Sequence, residues 1–289
     1  MGQKTKIDWC DSSWSPVTGC LHGCEYCYAR RIAERFKPTQ AHSLAVYKGS
    51  CIEVGKLHDL KTSVWAYKTS NGEKDNVESV KAPYPFGFEP TFHRYRLDEP
   101  QHWKKPRNIF VCSMADLFGE WVPDEWIDEV IKSTQKALQH RYLFLTKNPE
   151  RYDDWLDRFE NGKIDGLDNE VANCWFGASA SNNAELERAN GTRAMWVSIE
   201  PIREHILTDE DQFMQFRYAF GTEIEERRWE WVVIGAETGN QKSKVVPEKE
   251  WVKEIAYVCK LYGTPIFMKE SLRELMGDDF RQEYPWEVK

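Results

Sequence analysis

The chain of 289 residues carries a formal net charge of −8, with 41% hydrophobic and 30% charged residues. That balance is globular rather than disordered, and the length suits one large α/β domain or two modest ones. No apolar run reaches the roughly 18 residues of a membrane span, and the acidic balance weighs against a long duplex-binding face.

The N-terminal MGQKTKIDWC lacks the apolar core of a signal peptide. The eight cysteines are therefore expected to be reduced thiols in a cytoplasmic protein without membrane partners. In chain order, Lys6–Trp14 is expected to give a first strand, and Cys20–Cys27 a polar loop. Gly19 and Gly23 sit where that loop must turn. Tyr28–Phe36 predicts a helix with Ala29, Ile32, Ala33 and Phe36 near one face, stopped by Pro38. Thr39–Pro106 is the least regular stretch, with a Ser/Asn/Gly/Lys-rich piece around Thr69–Lys74 and five prolines. It reads as an irregular insertion or cap after the first helix, within a single domain of residues 1–289, with one strand at Phe88–Tyr95.

From there the sequence becomes rhythmic. Asn108–Cys112 is a short strand. Pro123–Gln139 is a helix whose inward stripe holds Trp126, Ile127, Val130, Ile131, Thr134 and Leu138. Strand Tyr142–Leu145, helix Asn148–Phe159, strand Cys174–Phe176, short helix Ala184–Ala189 and strand Ala194–Ile199 follow. Then come strand Trp229–Ile234, helix Pro247–Leu261 ended by Gly263, and strand Pro265–Met268. Ile7–Trp9 and the region near Phe88 would bring the six clear strands to eight. The alternation predicts an α/β fold, a partial or complete TIM-like β/α barrel, with an open doubly wound sheet as the alternative. Polar residues recur at the strand exits: Ser113, Asp116, Thr146, Lys147, Ser179, Ser198, Glu200, Glu237, Lys269 and Glu270. In a barrel such exits converge on one face, although caps and turns use the same residue types.

The strongest local signal is Cys20-Leu-His-Gly-Cys24-Glu-Tyr-Cys27. Three soft thiolates on a compact loop suit iron or zinc. A four-iron cluster normally takes four cysteines, and three would leave one iron open to a small molecule. Zinc with His22 as fourth ligand is the alternative, as is an electron-transfer or sensing cluster. Cys10, Cys51, Cys112, Cys174 and Cys259 read as ordinary thiols.

CxxxCxxC with an aromatic residue before its last cysteine resembles the radical S-adenosylmethionine (radical SAM) superfamily. More closely, the chain resembles the phage Gp37/Gp68 family (DUF5131). The blocks that carry this resemblance are TKIDWCDSSWSPVTGCLHGCEYCYARRIAERF, RNIFVCSMADLFGEWVPDEWIDEVI, YLFLTKNPERY, CWFGASASN, WVSIEP, WVVIGAETG and PIFMKES. The resemblance implies a 4Fe-4S cluster on Cys20, Cys24 and Cys27, S-adenosyl-L-methionine, and generation of a 5′-deoxyadenosyl radical. It implies a low-potential electron donor as partner, and a small molecule or a nucleotide or nucleic-acid component as substrate. Tyr26 is then the candidate for adenine. Ser113 and Asp116 stand where the superfamily holds the methionine amine, without its Gly-Gly-Glu form. Ser179 is the candidate for ribose, Glu237 for another polar edge, and Lys269 for a carboxylate. Lys147 and Glu200 are the candidate catalytic groups, for substrate binding or proton transfer.

Overall fold

Short apolar runs with no polar alternation are suited to strands covered on both faces, and the chain uses them so. In a computed structural model, residues 5–38, 42–45, 51–69, 77–167, 171–206, 229–238 and 244–287 are described. The chain begins with β1 (Ser12–Trp14), β2 (Val17–Thr18) and α1 (Tyr28–Phe36). Next come β3 (His42–Ala45), β4 (Cys51–Val54), β5 (Leu57–Leu60), β6 (Trp65–Thr69), β7 (Val77–Lys81) and β8 (Thr91–His93). The alternating part follows: β9 (Asn108–Val111), α2 (Asp124–Thr134), β10 (Arg141–Thr146), α3 (Glu150–Glu160), β11 (Cys174–Ala180) and α4 (Asn183–Asn190). It ends with β12 (Trp196–Ile199), β13 (Trp231–Ile234), α5 (Lys249–Tyr262), β14 (Ile266–Met268) and the one-turn α6 (Arg273–Met276).

The main sheet has seven strands in the order β1-β9-β10-β11-β12-β13-β14. β1 with β9, β11 with β12, β12 with β13 and β13 with β14 pair in parallel. The order follows the chain, as successive crossovers in one direction produce. β1 and β14 stand at its two ends among the described residues. The architecture is an open, curled, partial β/α barrel; a doubly wound sheet would reverse its order at a switch point.

The chain divides into two compact units, one of residues 1–4 and 12–142, the other of residues 5–11 and 143–289. In the first, Trp14 packs edge-on against Tyr142, and Phe92 against Trp126. In the second, Trp9, Trp196 and Trp231 form a buried aromatic nucleus, with ring centroids 5.3–6.1 Å apart. Many of the chain's tryptophans are thus packing residues.

Several expectations are corrected. The first strand starts at Ser12 rather than Lys6, because Trp9 goes into the aromatic nucleus. Ile7–Trp9 is no strand, and β8 joins a separate four-stranded sheet, β2-β8-β5-β4. The expected first strand thus joins the main sheet through Ser12–Trp14, and of the eight expected barrel strands the one near Phe88 lies outside it. The stretch after α1 is not irregular: β3 to β7 build antiparallel pairs in that sheet and in a three-stranded one, β3-β6-β7. Residues 70–74 of the polar piece lie outside the described residues. On α1, Ala29 and Ala33 are buried but Ile32 and Phe36 are exposed, so its packed stripe is narrower than the periodicity suggests. α2 ends at Thr134, which leaves Leu138 exposed. Gly263 ends α5 in the left-handed conformation, φ +65°, as expected.

Candidate functional site

The cysteine loop leaves β2, which pairs antiparallel with β8. Gly19 then turns with φ +85° and bridges to Ala115. Its N–H donates to the Met114 carbonyl at 2.9 Å, and the Cys20 N–H donates to the Phe88 carbonyl at 3.2 Å. The fit leaves no room for a side chain: a Cβ on Gly19 would lie 2.2 Å from the Glu89 carbonyl oxygen. Cys20 is thus placed by backbone on two sides. Gly23, φ +74°, makes the second turn with open space around it.

Cys27 caps α1: its Sγ accepts from the Arg30 N–H at 3.3 Å. The positive end of the helix dipole therefore faces a sulfur, which suits a metal-bound thiolate. Cys20 and Cys27 pack on a small apolar cluster of Ala29, Ala33, Phe88 and Met114. Burial pushes the Cys20 thiol up to about 12, and the nearby negative charges of Asp116, Cys24 and Cys27 add to the rise.

Facing the loop is the segment after β9. Cys112, buried and with φ +56°, turns the chain there. Such a conformation is strained for a non-glycine residue. The Tyr28 hydroxyl donates to the Ser113 carbonyl at 2.7 Å. Asp116 is buried; its Oδ2 is 2.7 Å from His22 Nε2, and its Oδ1 accepts from the Phe118 N–H at 3.1 Å. The His22 ring meets Trp121 edge-on at 4.8 Å. Ser113, Asp116 and the cysteine loop are thus brought together, with Asp116 engaged by His22. Tyr26 is half-buried in the loop.

In the second unit, Glu200 pairs with Lys269 across from Gly235, whose Cα faces both side chains. Lys147 lies 3.2 Å from Glu185, which Ser181 also binds. Glu237 is buried, and its Oε2 accepts from the Val245 N–H at 3.4 Å. Ser179 is half-buried inside β11, opposite Ser198 of β12, whose buried hydroxyl has no partner. Glu200, Gly235 and Lys269 form a polar group at the ends of β12, β13 and β14, whereas Lys147 belongs to a separate cluster with Glu185.

Of the scattered cysteines, Cys112, Cys174 and Cys259 are buried, and burial pushes the Cys112 thiol up to about 12. Cys51 departs from expectation, because Cys51, Glu53 and His58 offer metal-ligand atoms within 4.8 Å of one another. Sequence inspection missed this group since its members belong to two strands of an unforeseen hairpin.

No helix among the described residues is long and apolar enough to cross a membrane. Residues 4–273 match the family described as a protein of unknown function, DUF5131. No curated protein shows a significant match. Among solved structures, a spore photoproduct lyase mutant with bound AdoMet and dinucleoside spore photoproduct is similar at 11% identity and a TM-score of 0.49, covering 93% of this chain and 78% of that one. Another spore photoproduct lyase mutant matches at 12% identity and a TM-score of 0.47, with the same coverage.

Proposed function

We propose that this chain, which belongs to the DUF5131 family, is a radical SAM enzyme that holds a 4Fe-4S cluster through Cys20, Cys24 and Cys27. Its substrate is a small molecule or a nucleotide or nucleic-acid component, and a low-potential electron donor is its partner. The observation that supports the reading is the anchoring of the three-cysteine loop, where the Gly19 N–H donates to the Met114 carbonyl and the Cys20 N–H to the Phe88 carbonyl.

The donor set fits the cluster: soft sulfur ligands on a loop whose backbone turns at Gly19 and Gly23. When bound, cluster and S-adenosylmethionine supply one-electron cleavage of a carbon–sulfur bond and a 5′-deoxyadenosyl radical. The chain's own part is to bind and orient. Cys20 is held by the Phe88 carbonyl and Cys27 by the Arg30 N–H. In the first unit, Tyr26 is assigned to adenine, and Ser113 and Asp116 to the methionine amine, with His22 bracing Asp116. In the second unit, Ser179 is assigned to ribose, Glu237 to a polar edge and Lys269 to a carboxylate. Glu200 and Lys147 are assigned to substrate. Glu200 is the ion-pair partner of Lys269, and Glu185 that of Lys147, so each lysine is positioned before a ligand arrives.

Anaerobic purification tests the reading. The protein should contain iron and sulfide, bind S-adenosylmethionine, and yield 5′-deoxyadenosine on reduction. Cys24→Ser should abolish that yield without altering the far-UV circular dichroism. Zinc without sulfide would overturn the proposal in favour of a structural metal centre. A redox-active cluster that leaves S-adenosylmethionine intact would favour electron transfer.

A further inference from the structure

On the hairpin of β4 and β5, Cys51 and Glu53 are two residues apart, so their side chains leave the same face of the strand. A two-residue turn with Gly55 at φ +62° sets Glu53 directly opposite His58. Cross-strand partners on one face are close neighbours. The outcome is three ligand atoms, Cys51 Sγ, Glu53 Oε1 and His58 Nδ1, within 4.8 Å of one another. Glu53 Oε1 lies 3.6 Å from His58 Nδ1 and 4.0 Å from Cys51 Sγ. Donors at ordinary bond lengths around tetrahedral zinc stand about 3.3–3.5 Å apart. Small movements of the exposed Glu53 and half-buried Cys51 side chains would close the set.

The histidine supplies independent support. His58 is only 6% exposed, and its ring stacks on Phe86 at 3.7 Å, almost parallel. Its Nε2 is 2.7 Å from Glu89 Oε2. An ionised carboxylate only accepts, so in the neutral imidazole Nε2 carries the proton and Nδ1 keeps a lone pair. That Nδ1 is buried with no hydrogen-bond partner. A carboxylate on the far nitrogen is also the usual device for orienting a metal-bound imidazole and raising its basicity.

We propose that Cys51, Glu53 and His58 bind a zinc-class divalent metal ion, with Glu89 as the outer carboxylate. Thiolate, imidazole and carboxylate together make a set that zinc accepts, whereas magnesium and calcium take oxygen ligands. Three protein ligands leave the fourth position to water or an incoming group. The site shares no ligand with the cysteine loop. It does touch the same backbone: Glu89, whose carboxylate orients His58, presents to Gly19 the carbonyl that excludes a side chain there. An ion at the hairpin would steady the segment on which Cys20 is hung.

The test uses the full chain with Cys20, Cys24 and Cys27 replaced by serine, so its outcome is independent of the cluster reading. Zinc is titrated against a chromophoric chelator. One zinc per chain is expected, with affinity lowered about 100-fold by Cys51→Ser and at least about 10-fold by Glu53→Gln, the size of effect that even an outer partner has. Glu53 is exposed and Cys51 half-buried, so both variants should keep the parent's circular dichroism. No bound zinc, or an affinity unchanged in both variants, overturns the site. If the triple-serine chain does not fold, the same two substitutions are made in the otherwise unaltered chain and zinc is counted per chain. Loss of one zinc supports the site, and an unchanged count overturns it.

Discussion

His22 Nε2 stands 2.7 Å from Asp116 Oδ2, while the other oxygen of that carboxylate takes the Phe118 N–H. A histidine between two cysteines of one loop is thereby oriented by a carboxylate 94 residues away. His22→Ala should retain its iron and sulfide, and lose only about 1 kcal/mol of stability with the hydrogen bond. A centre of three cysteines and one histidine would lose its metal. Metal and sulfide analysis of the variant, with a denaturant titration, distinguishes the two.

Gly19 and Gly23 both have positive φ, yet their replacements should differ. Gly23→Ala meets open space and should cost only the left-handed backbone term, about 1–2 kcal/mol. Gly19→Ala would press a Cβ against the Glu89 carbonyl at 2.2 Å, and that carbonyl cannot rotate away. The cost should be about 3 kcal/mol or more, with loss of cluster loading. Equal unfolding midpoints for the two variants would contradict this account.

In the second unit, Gly177 of β11 lies opposite Trp196 of β12. A Cβ there would sit 2.2 Å from the indole ring. The indole is held on its other sides by Trp9 and Trp231. Gly177→Ala should therefore destabilise by about 2–3 kcal/mol. Trp196→Phe shrinks the ring and should cost less in the Gly177→Ala background than in the parent. A double-mutant cycle measures that coupling, and strictly additive effects would count against the contact.

His93 gives the fold a pH dependence. Burial, with the Arg96 charge adding, holds its imidazole well below the ordinary histidine range. It sits between the Thr18 hydroxyl at 2.8 Å and the Tyr95 hydroxyl at 3.1 Å. In the unfolded chain the same group takes up a proton near about pH 6.5; in the folded chain it stays neutral. Its stabilisation is full above that pH and declines as pH falls below it, because only the unfolded state gains the proton. Unfolding free energies at pH 7.5 and 5.5 should converge in His93→Gln relative to the parent. An undiminished difference would move the origin of the pH dependence elsewhere.

The cysteine loop and the strand–helix rhythm were legible because both are local. Cys20, Cys24 and Cys27 lie within one loop, and the apolar runs from Asn108 onward report their own burial. The hairpins of β3 to β7 were not legible, since short half-exposed strands such as Cys51–Val54 carry little hydrophobic pattern. Trp9 shows the same limit: its apolar run resembles a strand, but packing against Trp196 and Trp231 decides its place.

Sequence alone determined the alternating α/β architecture and the grouping of three cysteines on one loop, because period, turn residues and close cysteine spacing act over a few residues. Tertiary structure decided what those cysteines are surrounded by. It turned His22 to Asp116, hung Cys20 on the Phe88 carbonyl, paired Glu200 with Lys269, and brought Cys51, Glu53 and His58 onto one face. Each of these depends on strand register or on contacts between distant segments, and a register shift of one residue would reverse the face on which a side chain emerges.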